Sequence, residues 1–189
     1  MADVSEERPA VKRKSPVREL VETLVLALLL ALVIRTFVVE VYQVSGSSMT
    51  NTLHDHERVL VNKFIYHVLR DPEPGDIIVF QYPRQPERDF IKRVVAVAGD
   101  TVEMRGGEVY VNGEPFPEVS TVRLSAGDFG PYVVPEDSVF VLGDNRSNSE
   151  DSRYFGEVPL EYIRGLAFAR IWPISEIGGL ASPAQGDRS

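Results

Sequence analysis

Two stretches of the chain carry residue types that could form a nucleophile and its base. The first, Gln43-Val44-Ser45-Gly46-Ser47-Ser48-Met49-Thr50-Asn51-Thr52-Leu53, is dense in hydroxyls. Taken alone, a Ser/Gly-rich segment reads as a linker before it reads as a catalytic turn. The second is Asp89-Phe90-Ile91-Lys92-Arg93-Val94-Val95-Ala96-Val97-Ala98-Gly99-Asp100. Strand alternation there puts Lys92 on one face with Phe90 and Val94, and Ile91 and Arg93 on the other. A lysine among apolar neighbours either snorkels to an edge or, when desolvated, loses its proton readily and can serve as a general base. A serine hydroxyl activated by a neutral lysine is a nucleophile that needs no histidine. For such a lysine to work near pH 8, its pKa must fall by about 2 from about 10.4, an offset of roughly 3 kcal/mol supplied mainly by desolvation.

A third stretch, Gly143-Asp144-Asn145-Arg146-Ser147-Asn148-Ser149-Glu150-Asp151-Ser152-Arg153, follows the apolar run Val139-Phe140-Val141-Leu142. It reads either as a polar turn held by ion pairs or as a hydrogen-bond network that orients something else. His54 and His56 flank Asp55 and precede Glu57, a pattern that could suggest a metal. Histidines one residue apart in a turn read more naturally as solvated, so no metal is expected.

These stretches must be held by one core. The chain has 189 residues, 43% of them hydrophobic and 25% charged, which suits a single globular domain with added elements. A formal charge of -8 excludes the basic face that a nucleic-acid partner requires. With no cysteine, there is no disulfide, no thiolate metal site and no cysteine nucleophile.

Residues 20–39 are almost wholly aliphatic, interrupted by Glu22, Thr23, Arg35, Thr36 and Phe37. Twenty helical residues rise about 30 Å, the thickness of a bilayer's hydrocarbon core, which predicts a membrane anchor over 17–40. Arg8, Lys12, Arg13, Lys14 and Arg18 precede it and should stay in the cytoplasm, leaving the C-terminal bulk outside. The residues after the run, Val38-Val39-Glu40-Val41-Tyr42-Gln43, offer no small-x-small cleavage pattern, so the segment is expected to be retained. Residues 1–16 read as a cytoplasmic tail and 177–189 as a frayed C-terminus.

From about Val41 the pattern turns to short β-branched runs divided by turn signals, which predicts a mainly β barrel or sandwich over 41–176. Strands are expected at 58–64, 76–82, 89–98, 101–104, 108–111, 132–134, 138–142 and 165–172. Gly106-Gly107 predicts a hairpin over 101–112 and Asn112-Gly113 ends its second strand, because both dipeptides supply the positive φ of a tight turn. Between Pro115 and Gly130 the periodicity fades into a loop.

In their order along the chain, the three stretches resemble the boxes of the type I signal peptidases, S-x-M-x-P-T-L, K-R-V-x-x-x-x-G-D and G-D-N-R-x-N-S-x-D-S-R. The resemblance extends to the 58–62 strand, to Gly165-x-Ala167 and to Trp172-Pro173. It implies a membrane-anchored serine endopeptidase with a signal-peptidase-like β catalytic domain, cutting signal peptides of exported preproteins outside a bacterial membrane, with no cofactor. It makes Ser48 the nucleophile and Lys92 the general base, with the Ser48 backbone N–H an oxyanion donor. Ser149 is expected to hydrogen-bond Lys92. Asp151 and Arg153 are expected to form a structural ion pair, supported by Asp144 and Arg146. The substrate is expected to add as a strand between the segment before Ser48 and the strand bearing Lys92. Val44, Met49, Leu53, Phe90 and Ile91 match positions lining the shallow apolar pockets. The chain departs from the pattern at Gly46, where one branch has a hydroxyl, and at Asn51, where proline is usual and a looser turn is expected.

Two other readings bear on the same residues. Self-cleaving SOS repressors resemble this core, but they need a DNA-binding helix-turn-helix in place of an apolar N-terminal segment. A non-catalytic, anchored β domain that binds peptides would keep the fold without needing Ser48 and Lys92.

Overall fold

The computed structural model describes residues 15–33, 38–117 and 127–180. Residues 1–14 of the expected tail over 1–16 lie outside them, as does most of the expected C-terminal tail over 177–189.

Helix α1 (Pro16–Val33) is 18 residues long, about 27 Å at the α-helical rise. Its apolar residues are open on every side, Leu24 by 60% and Leu28 by 71%. Among the described residues, the expected anchor over 17–40 is helical through Val33, and its last residues enter strand β1 (Val39–Gln43). The first turns of α1 carry Arg18, Glu19 and Glu22, with Arg18 bonded to Glu22 at 2.8 Å. Among the described residues no helix is long and apolar enough to cross a membrane.

The body is mainly β and antiparallel, as the alternating runs predict. Strand β2 (Arg58–Asn62) is followed by the short helix α2 (Ile65–Val68), β3 (Ile77–Tyr82) and β4 (Gln85–Val97). Then come β5 (Thr101–Arg105), β6 (Glu108–Val111), β7 (Glu114–Pro115), β8 (Phe129–Val133) and β9 (Ser138–Leu142). The chain closes with α3 (Ser152–Phe155), β10 (Val158–Pro159), β11 (Ile163–Trp172) and β12 (Gly178–Gly179). The large sheet runs β1-β2-β11-β3-β4-β9-β10, with β12 on β11, and the small one β7-β6-β5-β8.

Among the described residues, three apolar clusters fill the interior. Strand β3 lies between two of them: Ile77 and Val79 face Val44, Met49, Leu53, Val59, Val61 and Ala167, whereas Ile78 and Phe80 face Val94, Val139, Val141, Val158 and Ile163. A strand covered on both faces reads as a continuous apolar run, which is what 77–80 shows. The third cluster joins β5 and β6 to the ends of β4 and β9 through Val95, Val102, Met104, Phe140 and Leu142.

The predicted hairpin forms, with Gly106 and Gly107 at φ of 58° and 87°. Asn112 and Gly113, at 54° and 83°, turn the chain once more into β7. Strand β4 starts four residues earlier than its alternation suggested, because the polar stretch Gln85-Pro86-Glu87-Arg88 is carried into an exposed hairpin with β3. The C-terminus is held further than expected: β12 pairs with Ala169 and Arg170, and Leu180 packs on the Val44 cluster.

Candidate active site

The hydroxyl-rich stretch is a compact turn rather than a linker. Val44 is pinned on both sides, its N–H donating to the Glu57 carbonyl and its own carbonyl accepting from His56 N–H. Gly46, at φ +88°, donates its N–H to Asp55 Oδ1 at 2.9 Å. Beyond Ser48, N–H groups of Thr50, Thr52 and Leu53 return to the carbonyls of Ser47 and Met49, and the Met49 and Leu53 side chains bury completely. Asn51 sits at φ 104°, a region closed to proline, whose ring holds φ near −65°. The turn, expected to be looser here, is hydrogen-bonded on both sides of Asn51 through the N–H groups of Thr50 and Thr52.

Lys92 reaches the same point from β4. It is 4% exposed, and its Nζ donates to Ser48 Oγ at 2.7 Å and to the Ile91 carbonyl at 3.0 Å. The Phe90 ring lies beneath it, 5.0 Å from Nζ to the centroid. Burial pushes the Lys92 ammonium down to about 8, against Asp151, Glu150 and Asp144, which pull it up. At mildly basic pH a sizeable fraction of this amine is therefore unprotonated and beside a serine hydroxyl.

The third stretch ties these parts together. Asn145 N–H donates to the Ser48 carbonyl at 2.9 Å, Asn145 Nδ2 to the Ser47 carbonyl at 3.0 Å, and Asn148 Nδ2 to Ser47 Oγ at 2.8 Å. Sequence reasoning missed both asparagines, although its reading of the stretch as an orienting network pointed at them. Asp151 pairs with Arg153 at 2.8 Å, accepts from Gly143 N–H and caps α3, while Arg153 also reaches the Arg146 carbonyl.

Two expectations are corrected. Asp144 does not support the Asp151–Arg153 pair: it is bound bidentately by Arg93, both residues fully buried, and also accepts from Thr52 Oγ1 at 2.6 Å. Arg93 competes successfully because β4 directs it to the face opposite Lys92, straight under Gly143-Asp144. Arg146 stays with the pair, its carbonyl accepting from Arg153 while its Nε donates to the Gly143 carbonyl. Ser149 is half-buried against Gly143, where a Cβ would meet its Oγ at 2.2 Å, but that hydroxyl has no hydrogen-bond partner and does not bond Lys92. Two of the three ammonium donors of Lys92 go to Ser48 Oγ and the Ile91 carbonyl, and none goes to Ser149.

A cleft of about 300 Å³ runs from Ser48 between β1 and β4, lined by Tyr42, Gln43, Val44, Ser45, Val59, Val79 and residues 88–91. Of the predicted lining residues, Val44, Phe90 and Ile91 face it. Met49 and Leu53 do not, being buried below its floor. Tyr42, Gln43, Arg88 and Asp89 are additions that period-two reasoning could not place, since which strands face each other depends on sheet curvature. Among the described residues β1 pairs only with β2, and β4 meets β9 only from Arg93 onward. Both walls of the cleft thus carry an unpaired strand edge. His54 and His56 lie outside it, His54 beside Glu57 and His56 beside Asp55 and Gln43.

Residues 17–172 match the family described as signal peptidase, peptidase S26. The chain is 42% identical to the probable signal peptidase I-2 of Synechocystis sp. over 92% of its own length and 84% of that protein's. It is 43% identical to signal peptidase I of Leptolyngbya laminosa, covering 91% and 88% of the two chains. A crystal structure of a signal peptidase I from Enterococcus faecalis V583 is 36% identical, covering 51% of this chain and 97% of that one with a TM-score of 0.45.

Proposed function

Because the chain belongs to the signal peptidase family, peptidase S26, we propose that Ser48 and Lys92 carry out its catalysis as nucleophile and general base. The protein is a serine endopeptidase that removes signal peptides. The observation that carries the assignment is the 2.7 Å contact between Lys92 Nζ and Ser48 Oγ in a buried, apolar setting.

In the reactive state Lys92 is neutral and accepts the Ser48 O–H proton as Oγ attacks the scissile carbonyl. The ammonium so formed returns the proton to the departing amine, leaving an ester on Ser48. Water, deprotonated in turn by Lys92, hydrolyses that ester and restores the serine. The Ser48 backbone N–H is the oxyanion donor. Gly46 adds nothing to it, having no hydroxyl and an N–H committed to Asp55.

The substrate's extended segment lies between the free edges of β1 and β4, completing a sheet across the cleft. Val44 and Ile91 bound shallow apolar sites beside Ser48 that admit alanine-sized side chains and exclude larger ones by overlap. The apolar run over 20–39 and the uncovered surface of α1 support an N-terminal membrane anchor over 17–40, with the β domain outside the bacterial membrane. Alkaline extraction of membranes would release the protein if that anchor did not exist.

The decisive assay is cleavage of a preprotein bearing an Ala-x-Ala site by detergent-solubilised protein, with folded Ser48→Ala and Lys92→Ala variants beside it. Cleavage by wild type alone establishes the pair. Activity surviving in Ser48→Ala removes the nucleophile, and binding without cleavage by wild type favours a peptide-binding domain.

A further inference from the structure

Tyr82, at the end of β3, is 4% exposed and stacks face to face on Phe90, with centroids 4.5 Å apart and planes 5° from parallel. Phe90 is the ring beneath Lys92 Nζ. Across the domain, the Tyr82 hydroxyl donates to Glu150 Oε1 at 2.6 Å. Glu150 lies between Ser149, packed at the dyad, and Asp151, which caps α3. The same segment is tied to the β3–β4 hairpin twice more: Arg84 NH2 donates to the Tyr154 carbonyl, and Phe155 packs its edge on Tyr82, with centroids 5.3 Å apart.

The acids that surround Lys92 are not equivalent. Asp144 is matched by Arg93, and Asp151 by Arg153. Glu150 is bonded to a neutral phenol. Of the three acids that act on Lys92 among the described residues, it is the one whose charge is not cancelled by a bonded guanidinium, and the tyrosine decides where that charge sits. Arg84 and Arg88 approach Tyr82 from the hairpin side, and Arg88 stacks over the Phe90 ring at 5.2 Å.

We propose that Tyr82 and Glu150 form a positioning latch that holds the Ser149 segment against the Phe90–Lys92 pair and fixes a negative charge at a set distance from the base. The inference rests on Lys92 being the base, and neither Tyr82 nor Glu150 lines the cleft.

The test uses the full chain in detergent, with variants Glu150→Gln and Tyr82→Phe. Glutamine keeps an oxygen for the Tyr82 hydroxyl and removes the charge. The acid limb of the kcat/KM profile for a preprotein should then move to lower pH by about 0.2–0.7, the range for one exposed charge. Phenylalanine keeps the stacked ring and opens the latch. It should lower kcat by about 5- to 10-fold with KM little changed. The double variant should be no slower than Tyr82→Phe alone, since a latch can be opened only once. Titration of Lys92 by side-chain NMR in the absence of substrate gives a second reading that does not depend on cleavage. It should follow the same shift in Glu150→Gln even if the assigned reaction proved wrong. Wild-type titration and wild-type kcat in both variants would overturn the latch, as would a loss of activity matched by the loss of folded protein.

Discussion

Arg93 and Asp144, 51 residues apart, form a fully buried bidentate ion pair: Arg93 Nε and NH2 bond the two Asp144 oxygens at 2.8 and 2.7 Å. Arg93 NH1 bonds the Gly75 carbonyl, and Thr52 Oγ1 bonds Asp144. One node thus joins the residue after Lys92, the turn that carries Ser48 and the stretch that clamps it. The register between nucleophile and base is set here.

Removing one partner should unfold the site rather than retune it. Asp144→Asn or Arg93→Met leaves a buried charge unmatched and should cost about 3–5 kcal/mol. Thr52→Val, which removes only a hydroxyl from the node, should cost about 1–2 kcal/mol. Denaturant midpoints check the order, and a fall for Asp144→Asn no larger than that for Thr52→Val would contradict the node.

Lys92 sets both the pH profile and a stability penalty. Its folded pKa near 8 predicts that kcat/KM rises with pH through that value as the amine becomes neutral. Below pH 8 the folded protein must keep a buried ammonium that the unfolded chain solvates freely, a cost of up to about 3 kcal/mol. This cost fades as pH rises from 8 toward the ordinary value of 10.5 and vanishes above it, where both states are neutral. Lys92→Met should therefore abolish cleavage while raising the unfolding midpoint at pH 7, and the gain should disappear by about pH 10.5. Equal stabilisation at both pH values would attribute it to packing instead.

Asn51 tests the local backbone. At φ 104°, Asn51→Gly should be neutral or slightly stabilising, whereas Asn51→Pro must break the turn and should cost about 3 kcal/mol or more with loss of activity. Comparing the thermal midpoints of the two variants decides it.

Asn148 should act on the turn that carries the nucleophile, through Ser47. Asn148→Ala deletes the bond to Ser47 Oγ on an exposed face, so stability should change by less than about 1 kcal/mol while kcat falls about 10-fold. Steady-state kinetics beside a melting curve separates these effects. An unchanged kcat would make the contact ornamental.

Much of this protein is determined locally. The Gly106-Gly107 and Asn112-Gly113 turns, the strands at Glu108–Val111 and Ser138–Leu142 and the apolar face shared by Phe90, Lys92 and Val94 follow from turn chemistry and period-two alternation. Each involves neighbours in sequence and can be read without knowing the fold. The order of the three boxes, with a serine and a lysine in matching positions, was likewise present in the sequence and pointed to the family.

Partner choice was not. Asp144 lies two residues from Arg146 yet binds Arg93, Ser149 packs beside the dyad without bonding it, and Met49 and Leu53 sink beneath a cleft they seemed to line. A buried charge takes the counter-charge that the packed strands present to it. Whether an apolar side chain meets substrate or core depends on how the sheet curls to bring β1 opposite β4. Alternation assigns a residue to a face; only the packed sheet determines what that face meets, because the contacts that decide it join residues 44 to 92 positions apart.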